Sequence, residues 1–168
     1  PTTYVAGEET AALEVIEGRK AWPRKKPPYP GDKGLWGQPT TVNNVETFAY
    51  VPGIVKDGPS SFQPGAMLVT LDESVHRPGI YEIELGSTFR SVIYDLGDGP
   101  RGGGTIKAIL PALSSAFLPA SALDMAMTHD AVREAGSNLG CAGISIVEDG
   151  TCIVERCVEI AGFFMREQ

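Results

Sequence analysis

The middle of the chain, from about Met67 to Val147, alternates between short apolar runs and clusters of turn residues. Such runs predict strands, and a threonine ahead of an apolar helical pattern predicts a capped helix. Because Arg77-Pro78-Gly79 supplies a turn, the first two strands should form a hairpin. The order of hairpin, helix and later strands favours an α+β unit of the β-grasp (ubiquitin-like) kind over a sandwich. The predicted elements are strands Met67–Leu71, Gly79–Glu84, Lys107–Leu110 and Gly143–Val147, and helices Thr88–Leu96 and Thr128–Ala135.

The N-terminal part, residues 1–57, carries two helical patterns around a proline-rich loop. An apolar strand end at Tyr4–Gly7 leads into a predicted helix over about Glu8–Glu17, which Gly18 terminates. A second helix is predicted to open at Asn43-Asn44, since Asn43 and Glu46 have the separation of a capping box. Pro52-Gly53 either ends that helix or kinks it.

The last segment, residues 151–168, has apolar residues at mostly helical spacing and predicts one helix that reaches the final residue. The chain opens at Pro1 without an initiator Met. We therefore expect an excised piece of a longer protein, organised as residues 1–57, 66–147 and 151–168.

Composition narrows the class of protein. Among 168 residues there are 20 glycines and 13 prolines, which disfavours a helical bundle. No apolar stretch is long enough to predict a membrane span, and no secretory leader is visible. The net charge of −7 argues against general nucleic-acid binding.

The cysteines and histidines predict neither a disulfide framework nor a metal site. The odd count of three cysteines, Cys141, Cys152 and Cys157, favours a reducing compartment, and we expect all three to be buried as small apolar side chains. His76 and His129 lack partners at metal-ligand spacing. The run Gly102-Gly103-Gly104 lacks the framing of a phosphate-binding motif and is expected to be a flexible loop tip.

A cluster of cations interrupts the otherwise neutral N-terminal part. Two interpretations stay open: a solvated loop, or a loop that faces a phosphate. The cations are Arg19, Lys20, Arg24, Lys25 and Lys26.

The same part holds a set of side chains suited to a dinucleotide and a flavin. Glu8 and Glu9 stand at a helix start, where carboxylates stabilise the helix even without any ligand. Lys26 and Tyr29 follow on a loop stiffened by prolines, where an aromatic ring can stack on adenine and a lysine can meet a diphosphate. Paired amides at Asn43-Asn44 can hold a flavin edge or a phosphate.

These residues carry a resemblance to a known family. The stretch YVAGEETAALEVIEG, followed by PRKKPPYPGDKGLWGQPTTVNNVET, closely resembles the NADH-binding flavoprotein subunit of respiratory complex I and related diaphorase subunits. Residues 66–147 resemble that family's soluble-ligand-binding β-grasp domain. The terminal GFFMREQ resembles the first helix of its iron–sulfur domain, which leads into a C-x-x-C-x-x-C motif. Residues 1–57 then correspond to the end of the FMN/NADH-binding α/β domain.

The resemblance implies roles for particular residues. Glu9 is implied to be catalytic, beside both the flavin and the nicotinamide end of NADH. No metal ligand lies in this chain, since the cysteines of the 4Fe-4S cluster fall outside it. Ala6 departs from the family, which commonly has Cys there. The implied FMN contacts are Tyr4, Gly7, Glu8, Glu9, Asn43, Asn44 and Thr47, and the implied NADH contacts are Lys26 and Tyr29.

The implied activity of the parent protein is hydride transfer from NADH to FMN, followed by electron transfer to iron–sulfur clusters. The final acceptor is quinone in the complex I subunit, or a hydrogenase or formate dehydrogenase partner in the related diaphorase subunits. Its implied partners are other electron-transfer subunits of a complex I-like assembly. Its implied place is peripheral, on the cytoplasmic or matrix face of an energy-transducing membrane. The isolated piece is expected to be inactive. The alternative is a non-catalytic ligand-binding or docking module built on the β-grasp domain.

Overall fold

The computed structural model describes residues 3–61 and 65–167. Its contacts divide the chain into two compact units. The first unit comprises Pro1–Phe62 together with Glu159–Gln168, and the second comprises Gln63–Val158. The predicted arrival of the C-terminal helix at Gln168 lies outside the described residues. Among the described residues, no helix has the length and apolar character needed to cross a bilayer.

Within residues 3–61, the first unit has three α-helices. Helix α1 (Glu9–Ile16) is capped by the carboxylate of Glu8, and Gly18, at φ +82°, turns the chain away after its end. The short helix α2 (Pro30–Lys33) has proline in its first turn, where the missing N–H has no intrahelical partner to lose. Helix α3 spans Val45–Asp57.

Two local expectations for this unit are wrong. Tyr4–Gly7 is a 3₁₀ turn rather than a strand end, because its N–H groups bond locally, from Ala6 to Thr3 and from Glu8 to Val5. The cap of α3 is Asn44 and not Asn43, since the Asn44 side chain accepts the N–H of Glu46 at 2.8 Å.

Pro52 does not end α3, which continues to Asp57. A proline deprives the carbonyl four residues earlier of its usual N–H partner. That carbonyl belongs to Phe48, which is exposed, so water can take the place of the missing donor.

The second unit is built on one five-stranded mixed sheet in the order β2-β1-β5-β3-β4. Strands β1 and β5 run parallel, with Thr70 opposite Gly143, and every other neighbouring pair is antiparallel. The hairpin register runs from Ala66 opposite Glu84 to Leu71 opposite Gly79. The strands are β1 (Ala66–Leu71), β2 (Gly79–Glu84), β3 (Ile106–Leu110), β4 (Leu118–Pro119) and β5 (Gly143–Glu148).

One face of this sheet is covered by helices that threonines cap. Thr88 caps α4 (Phe89–Ser91), which widens into a π-helical turn over Val92–Leu96. Thr128 caps α5 (His129–Glu134) by accepting the N–H of Ala131. Side chains of the strands and helices form one core, whose fully buried members include Val69, Leu71, Phe89, Val92, Ile93, Ile109, Met127, Val132, Leu139 and Ile144.

The four predicted strands are confirmed to within one residue at each end, and the α+β class holds. Strand β4 was not predicted, because it is only two residues long and contains Pro119. The glycine run is not a free loop tip. The Glu148 carboxylate accepts the N–H groups of Gly102 at 2.9 Å and Gly104 at 2.6 Å, which ties the loop to the end of β5.

The expectation of buried cysteines is also wrong. All three are exposed. Cys141 lies in the turn before β5, Cys152 directly precedes helix α6 (Ile153–Arg166), and Cys157 lies on an exposed side of that helix. In this fold the branched aliphatic and aromatic side chains of the strands and helices fill the core, and the cysteines fall on turns and the helix surface.

The core predicts a large difference between two apolar substitutions in the second unit. Phe89 is fully buried, so Phe89→Ala should lower the free energy of unfolding by about 3–5 kcal/mol. Leu68 lies on the solvent side of β1 and is 49% exposed. Leu68→Ala should cost about 1 kcal/mol or less. Urea unfolding of both variants measures this contrast, and equal losses would contradict the assignment of Phe89 to the core.

Candidate functional site

Glu8 is the centre of the polar contacts at the start of α1. One carboxylate oxygen, Oε2, accepts the N–H of Thr10 at 2.9 Å, the N–H of Ala11 at 2.8 Å and the Thr10 hydroxyl at 2.5 Å. The other oxygen, Oε1, receives the Lys26 ammonium at 3.0 Å. Burial acts to raise the pKa of Glu8, but the hydrogen bonds from Thr10, Ala11 and Lys26 outweigh it and the pKa is lowered. Glu8 is therefore ionised at neutral pH.

Glu9 shares the same cation. The Lys26 Nζ lies 2.5 Å from Glu9 Oε1, so one ammonium bridges two neighbouring carboxylates. The hydrogen bonds to Glu9 and then Glu8 raise the pKa of Lys26. This bridge brings together three of the residues that the sequence singled out. It also leaves the group with more negative than positive charge.

Thr10 fixes the position of the loop that carries Lys26. Its hydroxyl donates to Glu8 and accepts the backbone N–H of Arg24 at 2.7 Å, and the side chain is almost fully buried. This hydroxyl therefore joins α1 to a segment fourteen positions further along. The role of Thr10 was not predictable from the sequence, because nothing in the local pattern distinguishes it from an ordinary helix residue.

Gly7 and Tyr29 offer room and a surface for a flat ligand. Apart from its two chain neighbours, no described residue has an atom within 4 Å of a Cβ placed on Gly7. The Tyr29 side chain precedes α2 between two prolines and is 57% exposed. Gly7 thus leaves open space next to the Glu8 carboxylate, and Tyr29 presents an exposed ring on a segment that prolines stiffen.

The remaining predicted contacts lie on and before α3. Asn43, Asn44 and Thr47 are all exposed, and the Asn44 carbonyl oxygen is engaged by the helix start. Within residues 3–61 and 65–167, they share no hydrogen bond or ion pair with Glu8, Glu9 or Lys26. The structure thus brings Glu8, Glu9 and Lys26 together. The polar side chains at the start of α3 are exposed and do not join this cluster.

Two arginines of the cation cluster belong to a second ion-pair network. Arg24 and Arg19 each contact both Glu14 and Glu17 on α1. Arg24 also donates to the carbonyl of Gly34 at 2.9 Å. The hydrogen bonds from Arg19 and then Arg24 lower the pKa of Glu14 to about 2. The network holds the proline-rich loop against α1.

The remaining cations of the cluster do not share one environment, and Lys20 lies over the ring of Trp22 at 4.4 Å from its centroid. Lys26 faces the carboxylates of Glu8 and Glu9. Lys25 instead lines a groove of about 620 Å³ with Arg19, Lys33 and the exposed Trp36. The ion pairs of Lys26 and of the two arginines show that the loop is not simply solvated, and the interpretation that it faces a phosphate stays a prediction.

Tyr4 lies in an aromatic cluster rather than on a strand. Its ring centroid is 5.4 Å from that of Phe163 and 5.7 Å from that of Phe164, both in edge-on orientation. Beside it, the N–H of Val5 donates to the Glu167 carboxylate at 3.1 Å. The end of α6 thus contacts the turn that precedes Gly7, which no sequence pattern indicated.

The ion-pair network predicts that acid weakens the first unit. A carboxyl with a depressed pKa stabilises the fold above its unfolded pKa, and this stabilisation is lost as the pH falls towards the folded value. For Glu14 that window runs from about pH 4.5 down to about pH 2. Unfolding measured across this range should show a steeper loss of stability in the wild type than in Glu14→Gln. Glu46→Gln, at an exposed position of the same unit, serves as control and should keep the wild-type slope.

Comparison with known proteins identifies the relatives of the chain. No family model matches it. It is 41% identical to an F subunit of NADH-quinone oxidoreductase from Rhizobium meliloti and 40% identical to the F subunit of NADH-quinone oxidoreductase from Buchnera aphidicola. Each match covers 98% of this chain but only 41% and 39% of the relative.

A solved structure is similar to this chain over nearly the same length. The crystal structure of an NAD+-reducing [NiFe]-hydrogenase in the H2-reduced state superposes on 99% of this chain with a TM-score of 0.78 at 30% identity, covering 29% of the hydrogenase chain. Over nearly its whole length the chain is therefore homologous to F subunits of NADH-quinone oxidoreductase, and it spans about two-fifths of such a protein.

Proposed function

We propose that this chain is part of a flavoprotein subunit that oxidises NADH. The observation that carries the proposal is the cluster of Glu8, Glu9 and Lys26 beside the open position at Gly7, in a chain homologous to the F subunits of NADH-quinone oxidoreductase. When bound, FMN supplies the redox chemistry, accepting a hydride and releasing single electrons. The role of the protein is to bind FMN and NADH, to orient them towards each other and to shield them from water.

In this proposal the residues around Gly7 hold the flavin. Gly7 lets the backbone approach the ring system, because no side chain intervenes. Tyr4 and Glu8 fix the two sides of the turn that contains Gly7. The exposed amides of Asn43 and Asn44 and the hydroxyl of Thr47 supply further polar contacts to FMN.

NADH is bound from the side of Lys26 and Tyr29. Tyr29 offers its ring to adenine, and Lys26 offers a cation to the diphosphate. Glu9 is the carboxylate placed at the nicotinamide end, as a catalytic residue that orients the reacting ring. The bridge holds the Lys26 ammonium between Glu8 and Glu9, and it supports the placement of these three side chains around one bound dinucleotide.

We also propose three domains along the chain. Residues 1–57 are the end of the FMN/NADH-binding domain, residues 66–147 a soluble-ligand-binding β-grasp domain, and residues 151–168 the first helix of an iron–sulfur helical domain. The sheet order β2-β1-β5-β3-β4, with an initial hairpin, a following helix and a parallel central pair, supports the β-grasp assignment.

The proposed partners are other electron-transfer subunits, which accept electrons through a 4Fe-4S cluster ligated outside this chain. The proposed location is peripheral, on the cytoplasmic or matrix face of an energy-transducing membrane. Support comes from relatives named as subunits of NADH-quinone oxidoreductase and from the likeness to an NAD+-reducing hydrogenase.

The proposal predicts different behaviour for the longer subunit and for these 168 residues alone. The longer subunit, purified with excess FMN, should be yellow and should reduce ferricyanide with NADH. The 168-residue chain should stay colourless, because contacts that the resemblance places upstream are missing while the entropic cost of immobilising FMN remains. Visible absorbance and the ferricyanide assay measure both. A longer subunit without FMN binding would overturn the proposal and favour a docking module.

Tyr29 provides a test of the NADH side. In the longer subunit, Tyr29→Ala should raise the KM for NADH by roughly 5- to 150-fold, equivalent to the 1–3 kcal/mol typical of base–aromatic stacking, with a smaller effect on kcat. Tyr29→Phe keeps the ring face and should be nearly neutral. Trp36→Ala removes another exposed ring from the same unit and should leave the KM unchanged. An unchanged KM in Tyr29→Ala would assign the ring a structural role.

A further inference from the structure

The turn ahead of Gly7 is held from the far end of the chain. Within this turn, the N–H groups of Ala6 and Glu8 bond to carbonyls three residues earlier. The N–H of Val5 instead donates to Glu167, which lies 162 positions away, at 3.1 Å. A backbone donor that is satisfied by a carboxylate makes a stronger hydrogen bond than one between neutral groups.

An aromatic contact accompanies this hydrogen bond. Tyr4 packs edge-on against Phe163 and Phe164, whose own rings are 5.5 Å apart. Such edge-on packing fixes the direction of each ring. Two successive residues of the Tyr4–Gly7 turn are therefore held from this region, Tyr4 by the rings at the end of α6 and Val5 by Glu167, which follows the helix.

Gly7 lies between two carboxylate contacts. On its C-terminal side, Glu8 is fixed by three hydrogen bonds from Thr10 and Ala11. On its N-terminal side, Val5 is fixed by Glu167. A glycine has the widest backbone freedom of any residue, so a ligand that packs on Gly7 needs its neighbours to be held. The two contacts remove that freedom in advance of binding.

We propose that Glu167, supported by Phe163 and Phe164, is a positioning residue for FMN, acting through the Tyr4–Gly7 turn. The proposal rests on the proposed function, since it concerns the same flavin site. Glu167 holds the turn in the geometry that FMN requires, so that binding does not have to order it. Loss of this contact weakens FMN binding without removing any group that touches the flavin.

Three variants of the longer, FMN-binding subunit test this proposal. Glu167→Ala removes the acceptor, and Glu167→Gln keeps an oxygen acceptor without the charge. Glu155→Ala removes an exposed carboxylate from the first turn of the same helix and is the matched control. FMN is removed and then titrated back into each protein, with quenching of flavin fluorescence as the readout. Hydrogen exchange of the peptide covering residues 3–8 is measured in parallel.

Glu167→Ala should raise the Kd for FMN about tenfold and speed exchange in the peptide covering residues 3–8. Glu167→Gln should restore the Kd to within about threefold of wild type, and Glu155→Ala should match wild type in both measurements. A wild-type Kd in Glu167→Ala overturns the positioning role while leaving the proposed function intact. A wild-type subunit that binds no FMN overturns both.

Discussion

The contacts of the Glu8 carboxylate determine the geometry of the candidate site. Capping a helix, engaging the Thr10 hydroxyl and pairing with Lys26 are three separate tasks, and one side chain performs them all. The Thr10 hydroxyl then has its lone pair directed at the N–H of Arg24. The path of the proline-rich loop, and with it the place of Lys26, follows from that orientation. Removing the carboxylate would therefore disturb helix, loop and ion pair together.

Local signals account for the parts of the fold that the sequence predicted well. The β-strands have alternating or continuous apolar patterns, and Thr88 and Thr128 cap the helices at the expected places. These signals depend on neighbours within four residues. The errors at Tyr4–Gly7 and at the start of α3 arose because two local conformations compete there. Asn43 and Asn44 are both competent caps, and Tyr4–Gly7 is apolar enough for a strand but bonds to itself as a turn.

The residue types of the candidate site were also predictable, whereas their partners were not. From the charge pattern alone, Lys26 could have been either solvated or directed at a phosphate. In the structure its ammonium pairs with the carboxylates of Glu8 and Glu9. Pairing of this kind depends on where a loop returns, which the buried Thr10 decides. The contact between Val5 and Glu167 joins the two ends of the chain, a separation at which no sequence periodicity carries information.

Strand β2 is an edge strand of the sheet, and its side chains affect whether another strand could pair with it. A marginal strand offers unpaired N–H and C=O groups to any other strand, including the same strand of a second molecule. On its solvent side β2 carries Ile80, which is 72% exposed, followed by Glu82 and Glu84. Two such strands brought side by side would bury carboxylates against one another near the apolar Ile80. Like charges at Glu82 and Glu84 would oppose such pairing, which is one way in which edge strands are protected from joining other strands.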